Sequence, residues 1–123
     1  MAGENILIID DDINVALMLQ DYFESLNMNA FIAHDLPMVL DSLEQHTPHL
    51  IFLDYRMSPH TGKDILERLK ILNVQTPIIM MSAYKRRESV FEMKRLGAAE
   101  YIDKPYKFDE IEAILRKYLR VSI

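Results

Sequence analysis

The stretch LIFLDYRM, residues 50–57, decides the fold. Four apolar residues run without interruption and end on Asp54, a carboxylate. A short continuous apolar run suits a strand buried on both faces, as in a parallel sheet. Working outward, the same signal recurs as NILII at 5–9, at residues 30–33, as IIMM at 78–81 and as EYI at 100–102. The segments between read as helices. Over residues 13–26, Val15, Met18, Tyr22 and Leu26 recur at helical spacing. Residues 36–46 follow Asp35, an N-cap, and Pro37 falls in the first turn, where its missing N–H costs little. Residues 63–72 carry Ile65, Leu66, Leu69 and Leu72 along one stripe, and 86–96 stop at Gly97, a left-handed C-cap. Residues 108–119 place Phe108, Ile111, Leu115 and Tyr118 on one face, with Asp109 and Glu110 at the positive helix end.

This alternation predicts a doubly wound α/β fold of five strands and five helices that uses the whole chain as one domain, residues 1–123. Half the residues are hydrophobic, enough for one core, and the net charge of -5 gives no basic footprint for nucleic acid. There is no cysteine, so disulfides and thiolate chemistry drop out. No apolar run approaches the ~18 residues a membrane span requires, and the N-terminus shows no basic leader with a cleavage pattern. A cytoplasmic protein without membrane insertion is expected.

In open α/β sheets ligands bind beyond the carboxyl ends of the strands. The residues that follow the runs are Asp10, Asp11 and Asp12, then Asp54, then Ser82, then Asp103, Lys104 and Pro105. Carboxylates brought together raise one another's pKa, and keeping them ionised calls for a cation. Magnesium prefers oxygen ligands, takes few carboxylates from protein and keeps places for water and phosphate. Lys104 adds a compact positive charge and Ser82 a hydroxyl donor. An acceptor carboxylate, a metal, a cation and a donor are the parts of a phosphoryl transfer to aspartate.

At this point the chain resembles a response-regulator receiver domain from Glu4 to about Leu119, on ILIIDD, LIFLDYRM, IIMMSAY and AAEYIDKPY in that order. As a whole the chain is similar to single-domain receivers of the chemotaxis and sporulation-phosphorelay kind, and the motif SAY at 82–84 resembles the latter. The resemblance implies a flavodoxin-like sheet of order 2-1-3-4-5. It implies Asp54 as the phosphoacceptor, with Asp11 and Asp54 as direct Mg2+ ligands, Asp10 acting through water, and the Arg56 backbone carbonyl as a further ligand; Mn2+ is an alternative ion. Ser82 and Lys104 would contact the phosphoryl oxygens, the Lys104–Pro105 bond would be cis, and Tyr101 would be the switch aromatic that follows Ser82. Arg56 and Tyr84, two residues beyond Asp54 and Ser82, would tune the phosphoryl lifetime, both being large. The output surface would be the face of the fourth helix, fifth strand and fifth helix, with Val90, Tyr101 and Asp103. Implied partners are a sensor histidine kinase or histidine phosphotransfer protein and a downstream protein target. The domain would catalyse only its own phosphorylation and dephosphorylation.

Two features depart from the family pattern. Met57 is followed by Ser58 and then Pro59, where receivers carry proline directly after the methionine, although Gly62 keeps its distance from Asp54. The acidic pair is a triplet, and Asp12 falls where a helix N-cap belongs. Plainer readings stand beside several roles. Arg56 can be a solvated loop cation, Tyr101 strand packing and Val90 core. Lys85, Arg86 and Arg87 read as a solvated helix start, although they could dock an acidic partner. His34, His46, His49 and His60 lack metal-ligand spacing and read as surface or structural, His60 nearest the site. Met80 and Met81 read as core. One rival function is a phosphatase of the haloacid-dehalogenase type, with Asp10 as nucleophile, Asp12 as acid, and Ser82 and Lys104 in support; it leaves Asp54 without a role. The other is a degenerate receiver acting only as a docking module.

Overall fold

The computed structural model describes residues 3–56, 61–83 and 87–120, with the backbone alone for 87–89. The elements in chain order are β1 (Asn5–Ile9), α1 (Ile13–Ser25), β2 (Asn29–Ala33), α2 (Leu36–Gln45) and β3 (Leu50–Asp54). They continue with α3 (Gly62–Ile71), β4 (Ile78–Ser82), α4 (Arg87–Arg95), β5 (Glu100–Asp103) and α5 (Phe108–Leu119). The five strands form one parallel sheet of order β2-β1-β3-β4-β5. This is the flavodoxin-like order that the resemblance implies. No helix among the described residues is long and apolar enough to cross a membrane.

Alternation of side chains along the strands divides the interior in two. Ile6, Ile8, Phe52, Ile79 and Met81 face α1 and α5, where Leu19, Phe23, Ile111 and Leu115 meet them. Leu7, Ile9, Ile51, Leu53 and Met80 face the other way, toward Val39 of α2, Ile65 and Leu69 of α3 and Met93 of α4. β3 and β4 are buried at every position, which is why their sequences are apolar without alternation.

Helix ends follow local chemistry. Asp12 caps α1, its Oδ1 accepting from the Asn14 and Val15 amides at 3.1 and 3.4 Å. Asp35 caps α2 through the Met38 amide at 2.9 Å. Thr61 and Asp64 exchange side-chain-to-backbone bonds in a capping box at the start of α3. Gly97, with φ of +108°, follows α4 in the left-handed region.

Three expected stripes are corrected. In α1 the fully buried residues are Ala16, Leu19 and Phe23, while Val15, Tyr22 and Leu26 pack at the flank and Met18 is 42% exposed. Met18 lies one residue from Leu19, a rotation of about 100° at 3.6 residues per turn, and so leaves the sheet. Leu72, the C-cap of α3, is largely exposed. Phe108 is also exposed on one side, although its ring lies 4.6 Å from that of Tyr22.

The sheet's ladder is prolonged past the strand ends. Asp10 donates its N–H to the Ala33 carbonyl at 3.1 Å, Tyr55 to Met81 at 2.8 Å and Lys104 to Ser82 at 2.8 Å. Residues at the carboxyl edge are therefore fixed by backbone bonds of the sheet itself. Gly62 presses on the same edge: its N–H bonds the Tyr55 carbonyl at 2.8 Å, and a Cβ there would overlap the Asp54 carbonyl oxygen and lie 2.7 Å from Tyr55 Cα. Only glycine permits that approach.

Phe23, fully buried with its ring 5.2 Å from Phe52, anchors the α1 side. Phe23→Ala is expected to cost about 3–5 kcal/mol in chemical denaturation. Gly62→Ala is expected to cost about 1–3 kcal/mol and to move the amide resonances of Asp54 and Tyr55; unchanged resonances would contradict the close packing.

Candidate functional site

The carboxyl edge gathers Asp10 and Asp11 from β1, Asp54 from β3, Ser82 from β4 and Lys104 from β5. Asp10 is 1% exposed and Asp54 5%, whereas Asp11 is exposed to solvent. Carboxylate oxygens of Asp10, Asp11 and Asp54 lie within 4.8 Å of one another. Lys104 Nζ sits between two of them, donating to Asp10 Oδ2 at 3.0 Å and lying 3.1 Å from Asp54 Oδ1. The other oxygen of Asp10 accepts the Asp12 N–H at 2.9 Å. The Lys104–Pro105 peptide is cis.

The electrostatics follow from burial and crowding. Burial pushes the Asp54 carboxyl up to about 6, the Asp10 charge pushes the same way, and Lys104 draws it back only in part. Burial alone would lower the Lys104 ammonium, but its bonds to Asp10 and the charge of Asp54 outweigh that and raise it. The Lys104 ammonium thus stands against two buried carboxylates, with the exposed Asp11 clustered beside them. An all-oxygen ligand set with surplus negative charge fits a hard divalent cation.

Ser82 is buried beside this cluster. Burial raises the half-buried Tyr101 phenol and a hydrogen bond with the Ser82 side chain opposes the rise, so the two residues are already in contact. Arg56 stands exposed just past β3. Val90 and Asp103 are half-buried, the former on α4 and the latter at the end of β5. Tyr84, His60, Lys85, Arg86 and the turn Met57-Ser58-Pro59 lie outside the described residues.

Asp12 is turned to its capping role, as its sequence position predicts. The remaining histidines are structural or superficial. His46 stacks on Phe31 with ring centroids 3.7 Å apart, His49 Nδ1 accepts the Asn5 N–H at 2.9 Å, and His34 is exposed beside Asp35. This arrangement disfavours Asp10 as a nucleophile, since both its oxygens are occupied and buried. The sequence shows the spacing of Gly62 from Asp54 but not the close approach that shapes the acceptor strand's end. Tyr106, with its hydroxyl buried and its ring centroid 5.9 Å from Lys104 Nζ, escapes sequence reasoning altogether. The signal for Tyr106 is its place directly after the Asp103-Lys104-Pro105 run.

Comparison with known proteins agrees with this geometry. Residues 6–116 match the family model described as response regulator receiver domain. Sporulation initiation phosphotransferase F of Bacillus subtilis is 33% identical over 119 residues, covering 97% of this chain and 96% of the relative. Transcriptional regulatory protein ZraR of Escherichia coli is 32% identical over 94% of this chain, which spans 26% of that longer protein. Among solved structures, a two-component response regulator from Clostridium difficile superposes with a TM-score of 0.88 at 25% identity, covering 96% of this chain and 97% of the other. The receiver domain of a DNA-binding response regulator from Colwellia psychrerythraea gives 0.88 at 27% identity, covering 97% and 100%. With its sheet order, its acidic edge and a family match over nearly the whole chain, this protein belongs to the response regulator receiver domain family.

Proposed function

We propose that Asp54 accepts the phosphoryl group, donated by the phosphohistidine of a sensor histidine kinase or a histidine phosphotransfer protein. The observation that carries this reading is the placement of Asp54: nearly buried at the end of a central strand, 3.1 Å from Lys104 Nζ and clustered with Asp10 and Asp11. We read residues 1–123 as one cytoplasmic unit that catalyses only its own phosphorylation and dephosphorylation.

Asp11 and Asp54 would hold Mg2+ directly, with Asp10 acting through water and the Arg56 carbonyl as a further ligand; Mn2+ would suit the same oxygens. When bound, the ion neutralises charge on the phosphoryl oxygens and the carboxylates. The rest is the chain's own work. Asp54 supplies the attacking oxygen: its O–P bond forms as the N–P bond of phosphohistidine breaks, and the histidine leaves to take up a proton. Lys104, held between Asp10 and Asp54, transfers its ammonium to the incoming phosphoryl oxygens as charge develops there. Ser82 offers its hydroxyl to another oxygen. Doing so requires Ser82 to loosen its bond with Tyr101. That couples the phosphoryl group, worth about -1.5 to -2 charges by analogy with other phosphoresidues, to the face of α4, β5 and α5, including Val90, Tyr101 and Asp103. The charge biases a pre-existing two-state equilibrium toward the form a downstream protein binds.

Incubation with acetyl phosphate and Mg2+ is expected to add one phosphoryl group, mapped to Asp54 by peptide mass spectrometry. Asp54→Asn should abolish it while matching or exceeding wild-type stability, because it removes a buried charge that Asp10 repels. Label on Asp10 would instead establish the phosphatase chemistry, and no label from either acetyl phosphate or a phosphohistidine donor would establish a docking module. Lys104→Met should slow labelling about 10²–10³-fold. With large residues, Arg56 and Tyr84, standing two positions beyond Asp54 and Ser82 in the sequence, the aspartyl phosphate should outlast seconds without a phosphatase; decay within seconds refutes that role.

A further inference from the structure

The amino edge of the sheet, opposite the acidic site, carries a cavity of about 340 Å3. It opens where the ends of α3, α4 and α5 meet the start of β4. Leu66 and Ile78, both buried, form its floor. Leu96, Ala99 and Tyr118, all half-buried, form its walls. Its size falls at the lower end of the range for small-molecule sites, about 300–1,000 Å3. The polar groups of the walls are already engaged. Val74 donates its N–H to the Leu69 carbonyl at 3.0 Å, and Ala99 to the Ile78 carbonyl at 2.8 Å. The Tyr118 hydroxyl donates to Glu100 Oε2 at 2.6 Å, where Lys117 Nζ also bonds at 2.7 Å. The interior therefore suits an apolar body.

The surroundings are predominantly basic. The last turns of the three helices carry Arg68 and Lys70, Lys94 and Arg95, and Arg116 and Lys117. Such residues offset the negative helix ends. Lys117 is drawn to Glu100, and Arg116 to Glu112 at 3.9 Å. Lys70 is the charged residue of the cavity lining, exposed and without an ion pair or side-chain hydrogen bond among the described residues. On a chain of net charge -5, whose buried carboxylates gather at the opposite edge, this pole is the basic one.

We propose that this cavity binds a small amphiphilic carboxylate, its apolar body resting on Leu66, Ile78 and Leu96 and its head on the Lys70 ammonium. An uncharged ligand would leave the ammonium idle, and a cation would meet repulsion at the mouth. The charge contributes modestly, because Lys70 is exposed, and burial of the apolar body contributes most. A ligand so seated touches the ends of α4 and α5 and stays the length of β4 away from Asp54. The inference stands independently of the phosphoacceptor reading.

The test is an amide-resolved NMR titration of the full chain with octanoate, octanamide and octylammonium, on wild type, Lys70→Met and Ala99→Leu. Octanoate is expected to shift the amides of Val74, Gly97 and Ala99 saturably and to bind about fivefold more tightly than octanamide, with octylammonium the weakest. Lys70→Met should bring octanoate to within about twofold of octanamide. Ala99→Leu fills the cavity and should abolish binding of all three at an unchanged fold. Should Ala99→Leu unfold, the exposed Lys70→Met decides alone. Equal affinity for the three compounds overturns the proposal, as does an undiminished octanoate preference in Lys70→Met. Shifts that do not saturate, or that centre on Asp10 and Asp54, overturn it as well.

Discussion

The ammonium of Lys104, set between Asp10 at 3.0 Å and Asp54 at 3.1 Å, is the interaction on which the rest depends. Without it, buried carboxylates from β1 and β3 would face each other unscreened, and the edge of the sheet would be under repulsion. With it, three strands converge on one positive charge. That charge is also the component best suited to leave, since a lysine stem bends freely and its donors turn to meet a new acceptor. The residue that holds the resting site together is thus also the one that, on the proposed reading, answers the arrival of a phosphoryl group.

Precision at the site is inherited from the sheet. Asp10, Tyr55 and Lys104 each prolong the parallel ladder by one backbone bond, so the residues that carry the chemistry are as rigid as the strands beneath them. Gly62 adds a steric wall behind Asp54. On the proposed reading, an acceptor placed this rigidly leaves the response to Lys104 and to the Ser82–Tyr101 pair, which separates positioning from signalling.

Much of this was legible in the sequence, for reasons that lie in particular residues. β3 and β4 are buried on both faces, so LIFL and IIMM could hardly be written otherwise, and each ends on the residue its strand delivers to the edge. Asp12 and Asp35 declared their caps through position alone. The helix faces were less legible. α1 carries two adjoining apolar stripes, and which one meets the sheet depends on small Ala16 allowing close approach, a property of the partner surface as much as of the helix. Leu72 and Phe108 continue an apolar period past the point where the core ends. The Gly62 contact depends on the loop folding back onto Asp54 and Tyr55, and the burial of the Tyr106 hydroxyl on tertiary packing, neither of which periodicity encodes.

α4 is joined to the body differently from its neighbours. Among its described side chains only Met93 is fully buried, Phe91 points outward at 72% exposure, and Glu92 reaches across to Lys63 of α3 at 2.6 Å. Methionine is unbranched and adapts its shape to irregular space. A helix seated on one such side chain rests on the most adaptable of the core residues rather than on an interlocked row. If the face of α4, β5 and α5 carries the output, as proposed, the outer residues of α4 are free to be rewritten for a different listener while the buried acidic residues stay as they are.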